Sequence, residues 1–245
     1  MTPEDNFKFI NDYLSRMEPI IEQHNGFIDK YIGDAIMALF GGSSNDSEEK
    51  VTSADDALQS AISMLRRLAK YNQTRRKIEQ PPIKIGIGLN TGMLMLGTVG
   101  GEKRMDGTVI SDAVNLASRV EGMTKVYGAN LLITNETYST LDDPSAYCIR
   151  IIDRVKARGK NEPVTIFEVF DGDSEEMIRL KKQNLYEFDR AVSLYREQKF
   201  DHAAKGFKKV VAANPGDQAA QVYIQRCEYY QLHGVPEGWD NAKIL

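Results

Sequence analysis

The 245-residue chain is poor in cysteine and histidine and contains no long hydrophobic run. Its two cysteines, Cys148 and Cys227, lie far apart, so they provide no disulfide framework and no zinc-binding spacing, and a reducing, cytosolic setting is favoured. The three histidines are scattered, which argues against a histidine metal site. No apolar stretch approaches the roughly 20 residues that a membrane-spanning helix needs. The first residues do not form a signal peptide.

An excess of charge of one sign is also absent. The chain has 31 Lys and Arg against 35 Asp and Glu, a formal net charge of -4. This balance gives no electrostatic reason to expect binding to nucleic acid or to an anionic membrane. With 42% hydrophobic and 27% charged residues, the composition is that of a globular protein with one sizeable core and a small appendage.

Hydrophobic periodicity predicts an α+β fold with helices over one face of a sheet. The segment Ile83–Asn90 is expected to form a strand that pairs with Met93–Val99 across a turn at Thr91-Gly92. The other predicted elements are helices at 2–24, 55–77 and 111–127, a hairpin at 27–40, and short strands at 131–133, 146–152 and 165–169.

Two glycine-rich stretches fail to match nucleotide-binding loops. Gly86 and Gly88 lack the dinucleotide-binding spacing and no helix follows them directly, so we interpret them as strand glycines that allow close approach of another backbone. The stretch 97–103 lacks the Gly-Lys-Ser/Thr ending of a phosphate-binding loop.

The pair Gly33-Asp34 interrupts two apolar, β-type runs. This pattern predicts a strand, a tight turn and a strand, with Gly33 supplying unusual backbone angles. A carboxylate at the tip of a hairpin is exposed and free to hold a hard cation. In an arbitrary hairpin, the pair would indicate only a turn.

Asn115 and Arg119 lie four residues apart on the third predicted helix and therefore project from the same face. An amide beside a guanidinium suits a ribose oxygen and a phosphate under attack. Taken alone, the pair would indicate an exposed polar face. A basic loop at 154–160 makes an anionic ligand more plausible in this acidic chain.

A composition shift at 171–176 predicts a boundary between domains 1–170 and 171–245. The second domain is predicted to be helical, and its small and aromatic residues resemble a tetratricopeptide repeat. It contains about one repeat, whereas a free-standing array needs about three. The unit must therefore lean on the first domain, on a partner or on a copy of itself. The pattern comprises Leu194, Tyr195, Phe200, Ala203, Phe207, Val210 and Pro215.

Three stretches, 30–34, 102–121 and 158–160, together resemble the catalytic domain of class III adenylate/guanylate cyclases. The resemblance implies a ferredoxin-like cyclase sheet with helices on its face, followed here by the small all-α unit. It also implies conversion of ATP to cyclic AMP and pyrophosphate with two Mg²⁺ or Mn²⁺ ions. The working form would be a homodimer in which each site takes metal carboxylates from one chain and nucleotide contacts from the other.

The resemblance assigns substrate-binding roles to four residues. Lys30 and Thr108 match the pair that reads the purine edge, in the adenine-selecting combination. Arg158 occupies the position usually held by a lysine that binds the terminal phosphates, which keeps the charge but changes its geometry. Lys160 is its neighbour in the same loop.

Catalytic and metal roles are assigned in the same way. Asn115 and Arg119 match the transition-state pair, and Asp34 matches a metal ligand. The family begins with a Phe-x-Asp-Ile strand whose aspartate is the other metal ligand, and this sequence begins after it. We therefore expect the first strand of the sheet to be missing, and the sheet to be rearranged, swapped between chains or filled by another segment, with altered dimerisation. The parent would be a longer receptor-like cyclase with an upstream sensor or membrane domain and a cytoplasmic catalytic domain.

Two further interpretations stay open. The chain would be a catalytically silent nucleotide-binding or dimerisation module if the single carboxylate at Asp34 cannot support the reaction. A helical-repeat adaptor is the weaker alternative, because it rests only on residues 185–235.

We predict little or no cyclase activity from residues 1–245 alone, because Asp34 by itself cannot readily bridge two ions and offset their charge. The measurement is an assay with ATP and Mg²⁺ or Mn²⁺, run beside a chain extended upstream through a Phe-x-Asp-Ile strand. Comparable rates from the two proteins would show that an upstream aspartate is dispensable.

Overall fold

The computed structural model describes residues 2–41, 53–101, 104–156 and 162–244. The mixture of elements in these ranges confirms the predicted α+β class. The helices are α1 (Pro3–Gln23), α2 (Ser53–Lys77), α3 (Asp112–Tyr127), α4 (Asn135–Ser139), α5 (Glu175–Arg196), α6 (Phe200–Ala213) and α7 (Gln218–His233). The strands are β1 (Gly26–Ile32), β2 (Ala35–Phe40), β3 (Ile87–Leu89), β4 (Met95–Gly101), β5 (Arg104–Ile110), β6 (Leu131–Thr134), β7 (Ile149–Lys156), β8 (Val164–Val169) and β9 (Ala242–Ile244). Across the described ranges, no helix has the length and apolar character needed to cross a membrane.

The described strands form three separate sheets, whereas the resemblance implied one. Two are antiparallel pairs, β1 with β2 and β4 with β5. The third has five strands in the order β3-β6-β8-β7-β9. In it, β3 runs parallel to β6 and β9 parallel to β7, and the other pairs are antiparallel.

The chain divides into two compact units. The first contains the described residues of Met1–Ile85, Thr91–Asn115 and Ser139–Asp142. The second contains those of Gly86–Asn90, Leu116–Tyr138 and Asp143–Leu245. This division does not follow the predicted boundary at residue 170, because α5–α7 fall in the same unit as the five-stranded sheet. The assignment of 1–170 and 171–245 as separate domains stays a prediction.

In the second unit, one continuous hydrophobic cluster joins the sheet and α3 to α5–α7. Phe207 stacks on Tyr223 with ring centroids 4.7 Å apart, and Phe188 meets both rings edge-on. Ile152 and Val155 of β7 are fully buried in the same cluster. The helical region therefore packs against the sheet. This is the first of the three arrangements expected for it, which were packing on the first domain, on a partner or on a copy of itself.

The predicted pairing of Ile83–Asn90 with Met93–Val99 is wrong. The strand shortens to β3 and pairs with β6, while β4 pairs with β5, a strand that the sequence did not reveal. The Asn72 side chain on α2 explains the shortening: its amide donates to the Ile83 carbonyl and its oxygen accepts from the Ile83 N–H, both at 2.8 Å. This amide occupies the backbone groups that a strand partner would need.

Gly88 allows close approach of another backbone, as predicted, whereas Gly86 lies just before β3 and faces a side chain. A Cβ at Gly88 would lie 2.5 Å from the Ala117 carbonyl oxygen and 2.4 Å from the Glu121 nitrogen, both backbone atoms of α3. A Cβ at Gly86 would lie 2.0 Å from the Thr124 hydroxyl oxygen. Helix α3 therefore packs on β3 at a distance that only glycine permits.

We predict that Gly88→Ala destabilises the protein by about 1–3 kcal/mol, because the methyl group meets backbone that cannot rotate away. Gly122→Ala, on α3 itself, is the matched control. A Cβ there meets nothing within 4 Å, so the helix should gain roughly 0.5–1 kcal/mol. Urea denaturation of both variants checks this, and equal stability would contradict the close approach.

Candidate active site

The hairpin of β1 and β2 carries the first candidate group, Asp34. Ile32 and Ala35 are paired, leaving Gly33 and Asp34 as a two-residue turn. Gly33 has φ +66°, and a positive φ at the first turn position is a property of type II′ turns. The predicted turn is confirmed. Asp34 is exposed at its tip.

Lys30 lies on the same hairpin, opposite Met37. The register shifts between Ile28 and Lys30, so Asp29 is the extra residue of a β-bulge. The Lys30 Nζ lies 3.1 Å from the Asp29 Oδ2; the Asp29 side chain is only 8% exposed and the Lys30 side chain 38%. The bulge thus fixes the amine beside a shielded carboxylate, a contact that the sequence pattern did not predict.

Tyr13 of α1 is a second group that sequence reasoning missed. Burial, together with the charge of the Asp34 carboxylate, raises the pKa of its phenol to about 12. The phenol therefore stays protonated at neutral pH in the electrostatic field of Asp34. The only sequence signal was its position one turn before the buried Met17 on α1.

The residues around Asp34 fit one ligand of a divalent cation better than a complete two-ion centre. Mg²⁺ is commonly held by one or two carboxylates, with waters and substrate phosphates completing the octahedron. Within the ranges given above, no three His, Cys, Asp or Glu side chains come together as a metal-binding group.

The start of α3 is fixed by Ser111. Its Oγ accepts from the Ala113 N–H at 2.9 Å and donates to the Met93 carbonyl at 2.6 Å. This hydroxyl satisfies one of the unpaired amides at the helix N-terminus. Asn115 and Arg119 follow on the helix, both exposed and one turn apart on the same face.

Three predicted site residues remain: Thr108, Arg158 and Lys160. Thr108 lies on β5 opposite Gly97. Arg158 and Lys160 lie outside the described residues. The candidates that the structure describes lie on three elements: Lys30 and Asp34 on one hairpin, Thr108 on β5, and Asn115 and Arg119 on α3.

Residues 1–169 match the family model described as the adenylate and guanylate cyclase catalytic domain. The chain belongs to this family. The match spans the hairpin, β4, β5 and all of α3, and it ends at the last residue of β8. The resemblance inferred from the three sequence stretches is thereby confirmed.

Two curated members of the family illustrate the similarity. An adenylate cyclase from Anabaena cylindrica is 47% identical over 174 residues, 69% of this chain and 33% of the relative. The terminal-differentiation-specific adenylate cyclase of Dictyostelium discoideum is 37% identical over 228 residues, 93% of this chain and 10% of the relative. The second alignment is longer than the family match, so it includes part of the helical region.

Among solved structures, the adenylyl cyclase CyaB from P. aeruginosa is similar, with a TM-score of 0.61 and 31% identity. That alignment covers 71% of this chain and 86% of the other. The chain thus corresponds to most of a solved cyclase domain. It spans a third or less of the length of the two curated cyclases.

Proposed function

We propose that this chain is the catalytic domain of an adenylate cyclase that converts ATP to cyclic AMP and pyrophosphate in intracellular signalling. The observation that carries the proposal is the exposed Asn115–Arg119 pair on α3 of a family member. The pair offers a neutral amide and a permanent positive charge one helical turn apart.

In this proposal, the Asn115 amide orients the ribose and the Arg119 guanidinium binds the phosphate under attack. Charge develops on the phosphate oxygens as the ribose 3′-oxygen adds and pyrophosphate leaves. A guanidinium has donors arranged as a fork that matches phosphate oxygens, so it stabilises that charge without reorganisation.

Asp34 would hold a divalent cation, Mg²⁺ or Mn²⁺. When bound, such an ion neutralises the polyphosphate and activates the attacking hydroxyl. Asp34 is exposed and fits as one of its ligands, with phosphates and water as the others. A second carboxylate from outside this sequence would complete a two-ion site, which the assay of the upstream-extended chain tests.

Base selection is assigned to Lys30 and Thr108, and binding of the terminal phosphates to Arg158 with Lys160. Lys30 is well suited to this role because its amine is held beside the Asp29 carboxylate yet remains partly exposed. The described contacts support its orientation, and the family resemblance supports the choice of adenine.

We predict that Lys30→Glu with Thr108→Cys lowers the preference for ATP over GTP by at least about tenfold, because the donors and acceptors facing the purine edge are exchanged. The kcat/KM values for both nucleotides provide the measurement. The test uses the longer parent protein, and equal turnover of ATP and GTP by the unmodified parent would refute the assignment of Lys30 and Thr108.

The same site requires two copies of the chain. We propose a homodimer in which Asp34 of one copy and Asn115 of the other serve one substrate. The hairpin supports a separation of roles, since Lys30 lies within β1 and Asp34 in the turn that follows it, at most about 13 Å along the chain. Lys30 and Asp34 would then belong to different sites of the dimer.

We predict that Asp34→Ala and Asn115→Ala proteins are each nearly inactive but regain activity when mixed. Random exchange makes half of the dimers mixed, and one of their two sites is intact, so about a quarter of the unmodified activity should return. Cyclic AMP formation after co-expression measures this. Absence of recovery, with mixed dimers shown to form, would exclude a shared site.

The helical region is proposed to be a tetratricopeptide-like extension. Its first two helices approach closely, since a Cβ at Gly206 of α6 would lie 2.9 Å from the Ala191 Cβ of α5. Small residues at a helix crossing are part of the repeat pattern. Since the curated relatives are longer, we also propose that a sensor or membrane domain in the full protein controls this cytoplasmic domain.

A further inference from the structure

A buried carboxylate joins α3, β7 and α7. The Asp153 side chain of β7 is 2% exposed, and its Oδ2 accepts hydrogen bonds from the Tyr127 hydroxyl of α3 and from the Arg226 Nη1 of α7, the latter at 2.7 Å. The Arg226 Nη2 also donates to the Tyr127 oxygen at 2.8 Å. The three side chains thus form a closed triangle, referred to below as the Asp153 triangle.

Each corner of the Asp153 triangle depends on the other two. Burial, followed by the Asp153 charge, raises the pKa of the Tyr127 phenol, so this group remains a hydrogen-bond donor. Arg226 supplies the positive charge that a buried carboxylate requires. Removing Arg226 would leave a buried charge without its counter-ion.

A second contact from α7 holds the same end of α3. The Gln218 Nε2 donates to the carbonyls of Lys125 and Val126 at 3.0 and 2.9 Å. These are among the last carbonyls of α3, which have no partner within the helix. Gly128, with φ +62°, follows directly and lies against Gln218. Helix α7 therefore fixes the C-terminal end of α3 through two side chains.

Arg119 lies eight residues before Tyr127 on the same helix, about two turns or ~12 Å away. The intervening sequence contains no proline, and Val120 and Met123 are buried between them. A tilt or rotation at the Tyr127 end would therefore displace the Arg119 guanidinium.

We propose that Arg226 is a positioning residue for the cyclase reaction, acting through Tyr127 and Asp153 to hold α3 and thereby Arg119 in place. The proposal rests on the function assigned to Arg119 above. It gives the helical extension a role in catalysis in addition to its role in stability.

A neighbouring ion cluster provides a matched control. Lys181 of α5 is 4% exposed and its Nζ lies 2.6 Å from the Glu168 Oε1 and 2.6 Å from the Asp173 Oδ2. It ties the extension to β8 by a buried charge pair, as Arg226 ties it to β7, but its two ion pairs do not involve α3. If Arg226 had only a structural role, substitutions at Arg226 and at Lys181 would have the same effect on kcat.

The experiment compares Arg226→Gln, Arg226→Lys and Lys181→Gln in the full protein, with kcat and KM for ATP measured well below each melting temperature. Arg226→Gln should lower kcat by about 10- to 100-fold, because a small misplacement of a catalytic group is costly. Its KM should change by less than about threefold. Arg226→Lys keeps the positive charge but loses the forked donors of the guanidinium, so its kcat should lie between that of Arg226→Gln and that of the unmodified protein. Lys181→Gln should lower the melting temperature while kcat stays within about twofold.

Two measurements keep the test decisive. Hydrogen exchange of amides 119–127 should accelerate in Arg226→Gln and not in Lys181→Gln, a result that does not depend on activity. Gln218→Ala, at an exposed position, should lower kcat and accelerate the same amides if Arg226→Gln does not fold. Equal kcat in the Arg226 and Lys181 variants would overturn the positioning role. An active Arg119→Ala protein would instead overturn the proposed function of Arg119.

Discussion

The approach of α3 to β3 at Gly88 is the constraint on which the second unit depends. No side chain fits between the strand and the helix backbone there, so the distance between the two elements is set by backbone contact rather than by adaptable side chains. The buried face of α3 then defines where the sheet and α5–α7 can meet it. Because Arg119 lies on this helix between Ala117 and Glu121, the position of its backbone follows from this packing contact.

Buried charge explains why the helical region belongs to the core of this unit. Arg150 of β7 bonds to Glu168 of β8 and, through both Nη atoms, to Asp217 at the start of α7. Burial raises the pKa of Glu168, but Arg150 and Lys181 more than offset that effect and leave it lowered. A buried pair of this kind contributes little when intact but is strongly destabilising when one member is removed. Detaching the helices would break the pair between Asp217 and Arg150 and the pair between Lys181 and Glu168. The extension is therefore bound to the sheet by charge complementarity as well as by apolar packing.

The features that could be predicted from the sequence are local ones. The Gly33-Asp34 turn follows from the conformational freedom of one glycine, and the face shared by Asn115 and Arg119 follows from helix periodicity. The shortening of the predicted strand could not be predicted, because the backbone of Ile83 bonds to the Asn72 side chain, 11 residues away and on another element. The Asp153 triangle is even harder to predict from local sequence, because Arg226 and Tyr127 are 99 residues apart. An arginine, an aspartate and a tyrosine at such separations leave no periodic or motif-like signal.

At both ends of α3, backbone groups that lack a partner within the helix form hydrogen bonds with side chains of residues outside the helix. Ser111 caps the first turn of the helix, and Gln218 donates to carbonyls of its last turn. Gly88 packs against the backbone in the middle of the helix. Each of these contacts restricts movement of the part of α3 that it touches. Asn115 and Arg119 are exposed on this helix, so in the proposed function these contacts position the backbone that carries the two side chains. Catalysis by electrostatic stabilisation requires that arrangement, because donors that must be reoriented during the reaction lose much of their effect. If Arg119 has the proposed role, the contacts that the helical extension makes at one end of α3 bear on the chemistry as well as on stability.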